Sequence, residues 1–199
     1  MWLVGAGLES GVENKFARAC GEGPLPVVWW LADYMKTKGI DLDADTARAA
    51  MDAAAGQGRL EVVKWLIERD LGRGTTVAFH VAAMGGHLEV ARYLHAQGFT
   101  GCHLGTVQMA ASGGHLSVVQ WLWEVFGGDL DAGFHFAEEG VPWVSPCRGH
   151  LEVVQYLHTI ILLLAEKKRE RGEISHHSSE IEMDDVLYLL KLRDTTKWT

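Results

Sequence analysis

Ten histidines stand out in this chain of 199 residues, because histidine can both bind a metal ion and transfer a proton. Three of them, His87, His115 and His150, each follow a glycine in a similar segment. Side chains that recur in this way would lie roughly 10 Å apart, too far for the ~2.0–2.1 Å bonds to one zinc ion. The adjacent pair His176 and His177 has no cysteine or carboxylate at ligand spacing. The sequence therefore predicts no metal site and no cofactor.

The patterns of common catalytic sites are missing from the sequence. Its glycine doublets lack the lysine and Ser/Thr of a phosphate-binding loop, and no Gly-x-Ser-x-Gly segment occurs. The carboxylates Glu61, Glu89 and Glu152 recur at one position, which predicts a solvated face rather than an acid–base pair. We therefore expect a protein that is not an enzyme. The alternative is a His-rich, metal-dependent enzyme subunit.

The histidines and glutamates belong to a nine-residue segment that recurs along the chain. Its copies begin at Gly58, Gly86, Gly114 and Gly149, with a fainter copy at Gly23. The start-to-start distances are therefore 35, 28, 28 and 35 residues. A period of this length is typical of a solenoid, in which each copy is one small helical or strand unit stacked on the next.

Each copy predicts two helices joined by a glycine turn. In the copy at Gly86 the apolar residues form one stripe of a helix, namely Leu88, Val90, Ala91 and Leu94. An alanine-rich run precedes each glycine turn, and alanine both favours helix and lets neighbouring helices approach closely. The unit is therefore an inner helix of small residues, a tight turn that glycine permits, and an outer helix.

Residues 79–90 resemble the ankyrin repeat. Their sequence, Phe-His-Val-Ala-Ala-Met-Gly-Gly-His-Leu-Glu-Val, follows the central part of the family pattern T-P-L-H-x-A-A-x-x-G-H-x-x-V-V, although no copy keeps the Thr-Pro-Leu-His start. The resemblance covers about 16–157 and implies an all-α, ankyrin-like α-solenoid of about five stacked helix-turn-helix repeats. The 28-residue spacing is shorter than the usual ~33 residues, so we expect short finger loops.

Aromatic residues recur at one position of the predicted outer helices, as Trp65, Tyr93, Trp121 and Tyr156. We interpret them as packing groups between repeats, with a polar edge in water. The alternative is an aromatic face that contacts a partner, because tryptophan and tyrosine are enriched in binding hot spots.

The predicted array runs from residue 12 to 158, between a lead-in at 1–11 and a C-terminal tail at 159–199. Within it we expect Asp45 to cap the second inner helix and the glycine-containing segment 127–131 to be a connector between repeats. About eight extra residues, within the segment of about 138–148, separate the paired helices of the last copy, as an exposed recognition loop or as a neutral insertion. The amphipathic part of the tail, 180–193, could cap the array, bind a partner or be foreign to it. A further alternative is a fragment of a larger ankyrin-repeat protein with a mispredicted insertion and tail.

A formal net charge of −8 argues against a nucleic-acid or anionic-membrane partner, since both require clustered Lys and Arg. The longest apolar run is far below the ~18 residues of a membrane span, and the N-terminus lacks the basic start of a signal peptide. Three widely spaced cysteines suit a reducing compartment. We expect a monomeric, intracellular protein of the cytoplasm, with no small-molecule substrate.

The resemblance implies a non-catalytic protein–protein interaction module, a scaffold that presents a concave surface of inner helices and finger loops to an unidentified protein partner. Positions that differ between copies, where the framework repeats, are the candidates for contact with that partner. The candidates on inner helices are Arg48, Asp52, Thr76, His80 and Gln108. The candidates near the tips of the connectors are Arg73, Thr75, His103 and Asp129.

Overall fold

The computed structural model describes residues 11–71, 76–99, 104–133 and 150–172, and every regular element in these ranges is an α-helix. The chain divides into two compact units, Met1–Gly101 and Cys102–Thr199. None of the helices in the described ranges is long and apolar enough to cross a membrane. Residues 1–10 of the predicted lead-in, the predicted insertion at 138–148 and residues 173–199 of the predicted tail lie outside the described residues.

The first unit consists of helical hairpins packed side by side. Its helices are α1 (Val12–Glu22), α2 (Leu25–Thr37), α3 (Ala44–Gly56), α4 (Leu60–Glu68), α5 (Thr76–Met84) and α6 (Leu88–Ala96). Each odd-numbered helix packs against the even-numbered helix that follows it. The odd-numbered helices also pack in a row, α1 against α3 and α3 against α5, and they are the inner helices. The prediction of stacked helix-turn-helix repeats is confirmed.

Each inner helix of this unit buries one large side chain among small ones. Phe16, Met51 and Phe79 occupy equivalent positions of α1, α3 and α5, and each is at most 1% exposed. The alanines around them are also buried, among them Ala50, Ala54, Ala55, Ala78, Ala82 and Ala83. A Cβ added at Gly21 would lie only 3.2 Å from the Cβ of Ala53. The small residues therefore let neighbouring inner helices approach closely.

The predicted apolar stripe of the outer helices is buried except at its first position. Val90, Ala91 and Leu94 are fully buried in α6, but Leu88 is only half-buried. Leu88 is the first residue of α6 and lies beside the turn, where fewer neighbours cover it. Burial of each Val or Leu side chain contributes ~1.5–3 kcal/mol to stability.

The glycine turns have the geometry that the sequence predicts. In the turn between α5 and α6, Gly86 has a φ of 77°, a left-handed conformation that glycine adopts without strain. Its N–H donates to the carbonyl of Ala83 at 3.1 Å, and the N–H of His87 donates to the carbonyl of Ala82 at 2.9 Å. These two bonds form a Schellman motif, which satisfies carbonyls at the end of the inner helix.

The connector between α2 and α3 ends two residues before the predicted N-cap, Asp45. Asp43 is the N-cap of α3, and its Oδ1 accepts a hydrogen bond from the N–H of Thr46 at 2.6 Å. This backbone hydrogen bond lowers the pKa of the Asp43 carboxyl, because it stabilises the charged form. Asp45 instead lies in the first turn of α3, where it pairs with Arg48.

The second unit contains α7 (Leu104–Ser112), α8 (Leu116–Gly133) and α9 (Leu151–Glu170), with α8 packed against both α7 and α9. The predicted connector at 127–131 is wrong, because α8 continues through it. A glycine costs a helix only ~1 kcal/mol. A Cβ at Gly127 would lie 3.3 Å from Cε2 of Trp123, so that the glycine makes room for the indole ring. Asp129 therefore lies in α8 and not at a connector tip, and α9 continues past residue 158.

Cys20 places an ionisable group in the core of the first unit. It lies on α1 and is fully buried, and burial raises the pKa of its thiol to about 12, although the nearby charge of Arg59 opposes this shift. In the unfolded chain the thiol has its ordinary pKa of 9.0. The unfolded state therefore binds fewer protons than the folded state between these two values.

We expect ionisation of the Cys20 thiol to leave the free energy of unfolding unchanged below about pH 8. As the pH rises from 9 towards 12, this ionisation is expected to lower the free energy of unfolding. The slope from this one group reaches about 1.4 kcal/mol per pH unit. Urea denaturation at several pH values, compared with a Cys20→Ala variant, isolates the effect of this thiol. Equal slopes for the two proteins would contradict the prediction.

Candidate functional site

The histidine that opens the outer helix α6 reaches back to the preceding repeat. The Nε2 of His87 donates a hydrogen bond to the carbonyl oxygen of Gly56, the last residue of α3, at 2.9 Å. Its ring lies against the glycine turn of that repeat, because a Cβ added at Gly58 would overlap it. His87 is therefore engaged in packing between repeats rather than placed for proton transfer.

The same arrangement recurs in the second unit between His150 and Gly114. A Cβ added at Gly114 would overlap the ring of His150. Gly114 has a φ of 76°, close to the value of 70° at Gly58. The turn glycine is thus required for two reasons, the left-handed backbone and the ring packed against it.

In the copy that begins at Gly58, an arginine takes the place of the histidine. Nη1 of Arg59 donates to the carbonyl oxygens of Ala19 and Cys20, both at 2.8 Å. These carbonyls belong to the last turn of α1, where a positive charge also complements the helix dipole. Arg59 and His87 therefore perform the same task, each joining its repeat to the inner helix before it.

The described residues hold no group of three or more His, Cys, Asp or Glu side chains that could bind a metal ion. The pair His176 and His177 lies outside the described residues. At their positions His87 supports hydrogen bonding and ring packing, and His150 supports ring packing.

Four of the predicted partner-binding residues lie on neighbouring inner helices of the first unit. Arg48 and Asp52 lie on α3, and Thr76 and His80 lie at the equivalent positions of α5, which packs beside α3. Arg48 and Thr76 are exposed, whereas Asp52 and His80 are half-buried. The imidazole of His80 meets the ring of Phe79 edge-on, with centroids 5.9 Å apart. The first unit thus places these four residues on two helices that pack against each other.

The other five predicted residues lie either in the second unit or outside the described residues. Gln108 is half-buried on α7 of the second unit. Asp129 lies within α8, as described above. Arg73, Thr75 and His103 lie outside the described residues.

Exposed apolar side chains on the inner helices were missed by sequence reasoning. Val77 and Met84 on α5 are 48% and 36% exposed, and Met109 on α7 is 47% exposed. An apolar residue in an inner helix ordinarily predicts burial, which is why the sequence does not single these three out. One signal could have identified the first two, because the equivalent positions of α3 hold the much smaller Ala49 and Gly56.

Comparison with known proteins agrees with this architecture. No curated protein matches the chain in sequence. The family model for ankyrin repeats, which describes three copies, matches residues 16–108 and also residues 50–133. The two matches together span 16–133, which is more than half of the 199 residues. With the glycine turns and paired helices described above, this match shows that the chain belongs to the ankyrin-repeat family.

Proposed function

We propose that this protein binds a protein partner through the exposed faces of α3 and α5 and carries out no chemistry of its own. Ankyrin repeats typically mediate protein–protein interaction and are typically non-catalytic. One observation supports this particular face, namely the exposure of Val77 and Met84 beside Thr76 and His80. Apolar groups flanked by polar ones are typical of the surfaces that proteins bury on association.

The inner helices can present these side chains in a fixed geometry. Phe79, fully buried on the opposite face of α5, anchors the helix that carries Val77 and His80. Arg48 on α3 is paired with Asp45, which restricts its side chain. Binding by an ordered surface loses little conformational entropy, so more of the contact energy appears as affinity.

The proposed set of partner contacts also keeps, from the sequence alone, the candidates of the following repeat and of the connectors, which are Gln108, Arg73, Thr75 and His103. We omit Asp129 from it, because that residue was selected as the tip of a connector and lies in α8. The proposal also includes a monomeric protein of the cytoplasm. The free, buried thiol of Cys20 suits that reducing compartment.

The test is affinity capture with the whole chain, followed by mass spectrometry. A variant carrying Val77→Ser and His80→Ala is expected to lose partners that the unaltered chain recovers, and to bind a purified partner at least about tenfold more weakly. The matched control carries Lys64→Ala and Arg92→Ala, which change equivalent positions of the outer helices α4 and α6. Circular dichroism is the check that both variants fold. Equal recovery of every partner by the two variants would remove the α3–α5 face from consideration.

A further inference from the structure

A groove of about 720 Å³ lies in the first unit, between the outer helices α2 and α4. Trp29 and Met35 line it on the α2 side, and Trp65 and Arg69 line it on the α4 side. Phe16 of α1 forms its floor. Binding pockets commonly have volumes of ~300–1,000 Å³, so this α2–α4 groove has room for one or two side chains of a partner.

The groove results from the longer spacing between the first two copies of the repeat. The outer helix α2 has 13 residues, whereas α4 and α6 have 9 each. The extra turn of α2 carries Met35 and Lys36, and the connector that follows adds Ile40 and Leu42, all of which line the groove. Among the outer helices of this unit, α4 packs against α6, but α2 makes fewer contacts with α4. The space between α2 and α4 thus stays open.

Trp29 occupies a position at which the other copies of the repeat have polar residues. It lies on α2 and is 47% exposed. The equivalent residues of the other copies are Lys64, Arg92, Gln120 and Gln155. The aromatic position that recurs in the repeat is the next one, occupied here by Trp30. The repeat pattern therefore accounts for an aromatic residue at Trp30, but not for Trp29.

Arg69 provides an ordered positive charge at the edge of the groove. Its guanidinium carbon lies 4.7 Å from the centre of the Trp65 ring, in a cation–π contact. Among the described residues it has no carboxylate within ion-pairing distance. Stacking orients the planar guanidinium while its N–H groups stay available, and such a group binds carboxylates in a bidentate manner.

Asp33, Lys36 and Asp41 also line the groove, and all three are exposed to solvent. In the part of the chain that the structure describes, neither a ring nor an ion pair orients them. Exposed charges of this kind contribute little to affinity. Arg69 is exposed as well, but its guanidinium is held against the Trp65 ring. It is therefore the best oriented of the charges in this groove, and it favours an acidic ligand.

We propose that the α2–α4 groove binds a peptide segment of a protein partner that carries a bulky apolar residue close to an acidic one. The apolar side chain inserts between Trp29 and Trp65, above Phe16. The carboxylate accepts hydrogen bonds from Arg69. This site is separate from the α3–α5 face and does not depend on it.

The test uses a random dodecapeptide display library, screened against the whole chain. Enriched peptides are expected to combine a large apolar residue with Asp or Glu. A synthetic peptide from this pool is expected to lose roughly tenfold in affinity with Trp29→Gln and also with Arg69→Gln. Two matched controls should leave the affinity unchanged. Trp30→Gln changes a neighbouring tryptophan of α2 that is 46% exposed and does not line the groove, and Arg92→Gln changes an exposed arginine of α6.

The assignment of the carboxylate is tested separately by changing the acidic residue of the peptide to its amide. In that peptide the Arg69→Gln substitution should have no further effect, since the two groups act as one pair. The proposal is overturned if no peptide binds above background, if Trp29→Gln binds as well as the unaltered chain, or if the enriched peptides are basic. Peptides that respond to Val77→Ser and His80→Ala but not to Trp29→Gln would contradict the groove while supporting the α3–α5 face.

Discussion

An alanine at Gly58 is expected to lower the free energy of unfolding by about 3 kcal/mol. Two costs combine at this position. The φ of 70° strains any residue that has a Cβ, and the added Cβ would lie 2.8 Å from Cε1 of the His87 ring. The ring cannot move away freely, because its Nε2 donates a hydrogen bond to the carbonyl of Gly56.

Gly39→Ala is the matched control for this prediction. Gly39 has a φ of 65°, but a Cβ there would meet nothing within 4 Å, so that only the backbone strain of about 1–2 kcal/mol applies. Urea denaturation followed by tryptophan fluorescence measures both variants. Combining Gly58→Ala with His87→Ala should cost less than the sum of the two single changes, because the overlap then disappears. Equal costs at Gly58 and Gly39 would show that the ring is not a steric obstacle.

Replacing Arg59 with alanine is expected to cost about 2–3 kcal/mol. The change removes two hydrogen bonds from a charged donor, each worth ~1.5–3 kcal/mol before the partial exposure of the guanidinium is taken into account. The carbonyl of Ala19 retains the N–H of Gly23, but that of Cys20 loses a donor at the end of α1. The loss should therefore weaken the attachment of α1 more than that of the helices further along the chain.

Hydrogen exchange of the α1 amides, together with urea denaturation, checks this expectation. Arg92→Ala is the control, because exposed substitutions of this type usually change stability by no more than ~0.5 kcal/mol. Arg59→Lys should recover only part of the loss, since an ammonium group does not reproduce the fork of the guanidinium. The prediction is wrong if Arg59→Ala is as mild as Arg92→Ala.

The repeating framework could be predicted because it depends on local chemistry. A left-handed turn favours glycine, so Gly58, Gly86 and Gly114 indicate the helix ends before any coordinates are known. A buried stripe requires apolar residues at helical spacing, and Val90 and Leu94 satisfy that requirement. Because every repeat needs the same residue types at these positions, the pattern recurs within one sequence and can be recognised there.

The boundaries that were predicted wrongly depend on a choice between near-equivalent residues. Asp43 and Asp45 are both of a residue type that caps helices, and they lie only two residues apart. The sequence does not distinguish them, because the N-cap is defined by the backbone conformation at the start of α3. The turn predicted at 127–131 rested on Gly127, but glycine is only a weak helix breaker, and Trp123 packs against it within α8.

The surfaces were less predictable because they depend on contacts between distant segments. The α2–α4 groove requires the extra turn of α2 and the position of α4, neither of which is apparent from the 35-residue spacing alone. The role of Arg59 was hidden for a different reason. Three copies of the repeat have histidine at the position that Arg59 occupies. The two side chains are chemically different, and they share only an N–H group that can reach a carbonyl of the preceding repeat. The candidates Arg48, Asp52, Thr76 and His80 could be proposed because variation against a constant framework is visible in the sequence.

The hydrogen bonds that Arg59 and His87 make between repeats share one direction along the chain. In each of them the donor lies later in the sequence than the carbonyl that accepts it. A nascent chain leaving the ribosome therefore exposes the carbonyls of Ala19 and Cys20 to water until Arg59 has emerged, about forty residues later. The first hairpin thus depends for its final hydrogen bonds on residues not yet synthesised. Truncation of such a protein from its C-terminus removes the side chains that donate these hydrogen bonds and leaves backbone carbonyls without a donor. Truncation from the N-terminus removes the carbonyls instead, and it leaves arginine or histidine side chains that water can solvate.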